Sequence, residues 1–120
     1  PMSKLLIVDD EPDVREFAKS FFRKRDIDVI TASGGLQALE LITQEAPQLI
    51  LLDVRMEEMS GMEVLRELRT RKNTTKVIMV TGVEDEEVIG EANKLGVMGY
   101  IHKPLVLDEL EKIVLAQLNS

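Results

Sequence analysis

The sequence predicts an α/β fold in which a parallel β-sheet is covered by helices on both faces. Two observations carry that reading. Five short apolar runs recur along the 120 residues, at positions 5–8, 29–31, 49–52, 77–80 and 98–101. They are nearly continuous in β-branched or leucine side chains instead of alternating, which is the pattern of strands buried on both sides. Between them lie amphipathic stretches with a 3.6-residue period, so strand and helix alternate five times, the order of a doubly wound (βα)₅ sheet.

Each element has its own punctuation. After the first strand, Pro12 suits the opening turn of a helix, where its missing N–H would be unpaired anyway. Val14, Phe17, Ala18, Phe21 and Phe22 follow at core spacing, and Arg23, Lys24 and Arg25 favour the negative end of the helix dipole. The second strand leads to a helix over about residues 35–44, and Pro47 ends the connection. After the third strand, Ser60-Gly61-Met62-Glu63 reads as a capping box, hydroxyl and carboxylate each accepting from a free amide. Met62, Leu65 and Leu68 then point inward. The fourth helix opens on the acidic residues 84–87 and stops at Gly96, where a left-handed residue is wanted after Leu95. The last helix buries Leu107, Leu110, Ile113, Val114 and Leu118.

Composition narrows the function classes. A chain of 120 residues is one domain's worth and buries about two thirds of its unfolded surface, so no staple is needed. We therefore read residues 1–120 as one domain, with Pro1 ahead of Met2 as a cloning scar. The absence of cysteine excludes disulfides, thiolate metal sites and cysteine nucleophiles. No apolar run approaches the ~20 residues that span a bilayer, and the start lacks a signal-peptide layout, which predicts a soluble cytoplasmic protein. With 15 basic against 22 acidic residues the formal charge is −7, a sign that repels nucleic-acid phosphates and anionic lipid. The aromatics, Phe17, Phe21, Phe22 and Tyr100, do not form a base-stacking platform, three of them sitting at helical core spacing.

In an open parallel sheet, ligands sit outside the carboxyl ends of the strands. Asp9 and Asp10 follow the first strand, Asp53 the third, Thr81 the fourth and Lys103 the fifth. Singly, an Asp-Asp pair reads as a turn or cap, Lys103 as a solvated lysine and Thr81 as a helix-entry residue. Together they ask for a positive charge, because three carboxylates repel by a few kcal/mol per pair at ~4 Å and an effective dielectric near ~20. Lys103 supplies one charge and a hard divalent cation the rest. Mg²⁺ fits, since it takes one or two carboxylates and shares its remaining sites with water and a phosphoryl oxygen. With no cysteine and His102 as the one histidine, zinc does not. The constellation favours phosphoryl transfer onto a carboxylate, with Asp53 as nucleophile, the metal and Lys103 offsetting charge on the equatorial oxygens, and Thr81 donating to the phosphoryl group.

These residues lie in motifs that resemble the receiver domain of two-component response regulators. The motifs are Leu-Leu-Ile-Val-Asp-Asp-Glu at residues 5–11, Leu-Ile-Leu-Leu-Asp-Val at 49–54, Ser-Gly-Met-Glu at 60–63, Val-Thr-Gly at 80–82 and Lys-Pro at 103–104. The resemblance implies a flavodoxin-like sheet of strand order 2-1-3-4-5. It implies phosphorylation of Asp53 by a sensor histidine kinase or histidine phosphotransfer protein. Mg²⁺ would then be held by Asp10 and Asp53 directly, by Asp9 largely through water, and by the backbone carbonyl of Arg55. It further implies a cis Lys103–Pro104 peptide. Tyr100 matches the family's switch aromatic, moving inward when Thr81 is drawn to the phosphate and repacking the face of the fourth helix, fifth strand and fifth helix. That face would control an effector protein or output domain, and the chain would be a monomer or weak homodimer.

The chain departs from the family's usual pattern at a few positions. Glu57 and Glu58 stand in the loop after Asp53, where a proline is common at the first of them. Arg55 and Val83 border the pocket and bear on the lifetime of the phosphorylated state. Leu105 replaces a frequent aromatic, and His102 alternates to the side opposite Lys103. A phosphatase of the haloacid-dehalogenase type would need an acid where Arg55 stands. A mononucleotide binder would need a glycine- and hydroxyl-rich loop where Asp9-Asp10-Glu11 stands. The remaining alternative is a pseudo-receiver, an interaction module that is never phosphorylated. On the leading reading the chain takes part in its own phosphorylation but has no turnover substrate, so it is not an enzyme.

Overall fold

A computed structural model describes residues 3–82 and 86–120. In chain order the elements are β1 (Lys4–Val8), α1 (Pro12–Arg23), β2 (Asp28–Ala32), α2 (Gly35–Glu45), β3 (Leu49–Asp53), α3 (Gly61–Thr70), β4 (Lys76–Thr81), α4 (Glu86–Lys94), β5 (Gly99–His102) and α5 (Leu107–Leu118). The five strands form one parallel sheet in the order β2-β1-β3-β4-β5. Each apolar run is therefore a strand, as its unbroken hydrophobicity predicts.

The strand side chains alternate between two cores. Leu6, Val8, Ile50, Leu52 and Met79 pack with Ala38, Leu39, Leu65 and Leu68 on the face covered by α2, α3 and α4. Leu5, Ile7, Leu51, Ile78 and Ile101 pack with Ala18, Phe22, Leu110 and Val114 on the face covered by α1 and α5. From β1 the chain runs outward to β2 and then returns past β1 to β3. The loops after β1 and β3 thus leave in opposite directions and open a crevice at the carboxyl edge.

Several local expectations hold in atomic detail. Pro12 is the first residue of α1. At α3 the Ser60 hydroxyl accepts from the Glu63 amide at 3.2 Å, while the Glu63 carboxylate accepts from the Ser60 amide at 3.3 Å. Gly96 takes the left-handed conformation, with φ of 77°. The Lys103–Pro104 peptide is cis.

Others are corrected. Phe17 is 48% exposed instead of core, because the sheet-facing stripe of α1 centres on Ala18 and Phe22 and leaves Phe17 at its edge. Leu107 is 36% exposed at the first turn of α5, Ile113 and Leu118 are half-buried, and only Leu110 and Val114 of the expected set are fully buried. Met98 precedes β5 and is exposed. Pro1, Val83, Glu84 and Asp85 lie outside the described residues.

Candidate functional site

The crevice is lined by residues that leave the strands at their carboxyl ends. Asp9 follows β1 and is 2% exposed. Its carboxylate accepts from the Glu11 amide at 2.9 Å, the local turn by which an aspartate redirects the chain. Its carbonyl accepts from the Arg15 guanidinium at 2.7 Å, so α1 holds it from the other side. Asp53 is the last residue of β3 and 3% exposed, and its Oδ1 accepts from the Arg55 amide at 3.3 Å. Thr81 ends β4 and is buried. Asp10 lies on the open side of the cluster.

Lys103 reaches into the acidic crevice from beyond β5, its backbone amide donating to the Thr81 carbonyl at 2.7 Å. Its Nζ lies 3.0 Å from Asp9 Oδ2, 3.2 Å from Asp53 Oδ2 and 3.3 Å from Glu11 Oε1. One ammonium thus faces two buried carboxylates and one exposed one. Burial would lower its pKa, but Asp9 and Asp53 outweigh that and hold the ammonium above its ordinary value. The Asp53 carboxyl is pushed up to about 6, first by burial and then by the neighbouring Asp9 charge, with Lys103 offsetting part of the rise.

A shortage of positive charge therefore persists with Lys103 in place. Carboxylate oxygens of Asp9, Asp10 and Asp53 all lie within 4.8 Å of one another. An all-oxygen donor set with one open side suits a hard divalent cation that keeps part of its water. Arg55, the fourth residue expected at the metal, is exposed at the rim, with its amide bonded to Asp53.

The structure brings together Asp9, Asp10, Asp53, Thr81 and Lys103. Tyr100 is half-buried, and its hydroxyl donates to the Ile89 carbonyl of α4 at 2.6 Å instead of facing water. His102 is exposed. Sequence reasoning missed three contributors. Glu11 is a third partner of Lys103, Arg15 clamps the Asp9 carbonyl, and Gly61 admits backbone to backbone, since a Cβ there would stand 2.1 Å from the Asp53 carbonyl oxygen. Glu11 and Gly61 sit inside motifs already singled out. Arg15, one position into the α1 pattern, carries no such signal.

Comparison with known proteins decides the family. Residues 5–115 match the family model of the response regulator receiver domain. The chain belongs to that family. It is a flavodoxin-like receiver of the two-component type, and it is 34% identical over 111 residues to sporulation initiation phosphotransferase F of Bacillus subtilis (strain 168), covering 92% of this chain and 90% of that protein. It is also 37% identical over 113 residues to regulatory protein AtoC of Escherichia coli (strain K12), a match that covers 94% of this chain and 24% of AtoC. The receiver thus spans about a quarter of the length of AtoC. Among solved structures, response regulator TrrA of Thermotoga maritima, in complex with Mg²⁺-BeF, superposes with a TM-score of 0.85 at 30% identity, covering 97% of this chain and 99% of that one.

Proposed function

We propose that this receiver is a phosphorylation-dependent switch in which Asp53 accepts a phosphoryl group from a phosphohistidine carrier, a sensor histidine kinase or a histidine phosphotransfer protein. The observation that carries the reading is the placement of Asp53. Its carboxylate is buried at the end of the central strand, 3.2 Å from the Lys103 ammonium and beside two further carboxylates that suit a divalent cation.

Asp53 has to be ionised to act as a nucleophile, and with a pKa near 6 it is mostly so at neutral pH. One carboxylate oxygen attacks phosphorus, the phosphorus–nitrogen bond to the donor imidazole breaks, and the electron pair leaves with the imidazole. Lys103, held as ammonium, stands where the transferred group's oxygens gather charge. Asp9, Asp10 and Asp53, with the carbonyl of Arg55, would hold Mg²⁺, which when bound offsets charge on the phosphoryl oxygens. Thr81 donates its hydroxyl to a phosphoryl oxygen. The pull on Thr81 favours an inward Tyr100, breaking its bond to Ile89 and repacking the face of α4, β5 and α5 that an effector or output domain reads.

The donor's docking surface is the groove of about 710 Å³ that shares Lys103 and Glu11 with the site and is walled by Val14, Phe17, Pro104 and Leu105. We read residues 1–120 as one receiver domain, located in the cytoplasm and monomeric or weakly dimeric. It has no turnover substrate and is therefore not an enzyme.

The deciding experiment is intact mass after incubation with Mg²⁺ and phosphoramidate, beside an Asp53→Asn control. A gain of one phosphoryl group, ~80 Da, that requires Mg²⁺ and is lost in the variant supports the switch. No gain in a folded wild-type protein supports the pseudo-receiver instead.

A further inference from the structure

Among the helices, α4 commits the fewest described side chains to the core. Only Ala92 is fully buried there, whereas α3 buries Gly61, Met62, Val64, Leu65 and Leu68. Val88 and Leu95 add partly buried contacts to the same core, and beside this slender apolar seam the further ties on α4 are polar. Arg66 of α3 forms a two-pronged pair with Glu91 of α4, its Nη2 donating to Oε1 at 2.6 Å and its Nε to Oε2. Three residues further along the same face of α3, Arg69 Nε donates to the Leu95 carbonyl at 2.7 Å. Leu95 lies just past the end of α4, so Arg69 satisfies a carbonyl of the kind that a helix end leaves without an internal partner. Arg69 is itself fixed by the carbonyls of Asn73 and Thr75, at 2.9 and 3.1 Å. On the β5 side, Tyr100 holds the Ile89 carbonyl.

We infer that Arg66 and Arg69 form a catch that holds α4 in its resting position and so sets how readily the switch is thrown. The trigger rests on the phosphoryl-acceptor reading above; the catch itself does not. A helix held by side-chain tethers and a single fully buried alanine can shift with little repacking of the core. The Arg66–Glu91 pair is half-exposed, and such pairs add little to global stability. A set-point needs that property, because it must bias two arrangements without locking one of them. If a ligand at Asp53 favours the arrangement in which α4 has moved, its apparent affinity is reduced by the fraction of molecules already able to move. Loosening the catch raises that fraction and tightens the ligand's apparent binding. Arg66 and Arg69 are thus positioning residues that act through α4.

The test uses Arg66→Met, which keeps an apolar stem on α3, Glu91→Gln, and the exchanged pair Arg66→Glu with Glu91→Arg. Two quantities are read: amide hydrogen exchange over residues 87–95, and the concentration of beryllofluoride giving half-saturation in excess Mg²⁺. The single variants should speed exchange in α4 and lower half-saturation, each by about two- to fivefold, the range expected for losing an exposed pair. Thermal midpoints should stay near wild type, and the exchanged pair should move both readings back. Unchanged exchange overturns the catch. Faster exchange with half-saturation unchanged or raised overturns its role as a set-point. A wild-type protein that binds no beryllofluoride overturns the acceptor reading and the set-point with it, while exchange still decides the tether.

Discussion

The proposed role of Asp53 requires it to be both buried and ionised, and the two requirements oppose each other. Its carboxyl pKa rises from an unfolded value near 4 to about 6 in the fold, burial first and Asp9 second. Between those values the folded chain binds a proton more tightly than the unfolded chain does. Stability therefore falls as pH rises from about 4 to 6, and above that range the full cost, about 3 kcal/mol, is present. Asp53→Asn removes the charge and keeps an acceptor for the Arg55 amide, while Lys103 retains Asp9 and Glu11. In metal-free buffer at pH 7.5 the variant should be more stable than wild type to urea by about 1–3 kcal/mol, and the gain should vanish near pH 4. Equal stabilities at pH 7.5 would show that Lys103 already cancels the cost. At this scale the acidic cluster, Thr81 and Lys103 were legible because each stands within two residues of the end of an apolar run. Glu11 and Arg15 were not, because their roles depend on how the chain turns after Asp9.

The entry to α3 shows how one element places Asp53. The capping box of Ser60 and Glu63 starts the helix, and the Gly61 amide donates to the Val54 carbonyl at 2.9 Å, laying the first turn across the end of β3. No side chain fits between, since a Cβ on Gly61 would reach 2.1 Å from the Asp53 carbonyl oxygen. Gly61→Ala must push α3 or Asp53 aside. It should destabilise by about 1–3 kcal/mol or more, the range of overpacking against an unyielding neighbour. On the proposed reading it should also slow phosphorylation by phosphoramidate, because either displacement changes how Asp53 sits in the crevice. Ser60→Ala removes only the cap and should cost about 1 kcal/mol in the same unfolding experiment with the phosphorylation rate unchanged. The capping box was readable from four residues, but the close approach at Gly61 was not, since it depends on a strand eight positions earlier. Phe17 was misjudged for a related reason. Residues 14, 17, 18, 21 and 22 define a stripe wider than the sheet can cover, and spacing alone does not say which edge stays outside.

At the scale of the molecule, the strand order was legible only through family resemblance. Buried parallel strands are apolar throughout and carry no mark of which neighbour each one pairs with, so the crevice between β1 and β3 does not follow from periodicity. The same limit hid the groove beside the site, because α1 and the segment after β5 are about ninety residues apart in sequence and meet only in the fold. Phe17 is 48% exposed on that groove, and an aromatic side chain left open beside a reactive crevice gives a protein partner an apolar anchor. Small and protein donors separate the two roles that Phe17 can have. Phosphoramidate needs only Asp53 and its surroundings, whereas on the proposed reading a protein donor has to dock on the receiver before its phosphohistidine reaches the carboxylate. Phe17→Ser should therefore leave the phosphoramidate rate and the urea midpoint close to wild type, and lower kcat/KM for transfer from a histidine phosphotransfer protein by about tenfold or more, the loss typical of a buried aromatic anchor. Equal losses with both donors would place Phe17 in support of the fold instead, and no loss with either would move the donor's docking surface off α1.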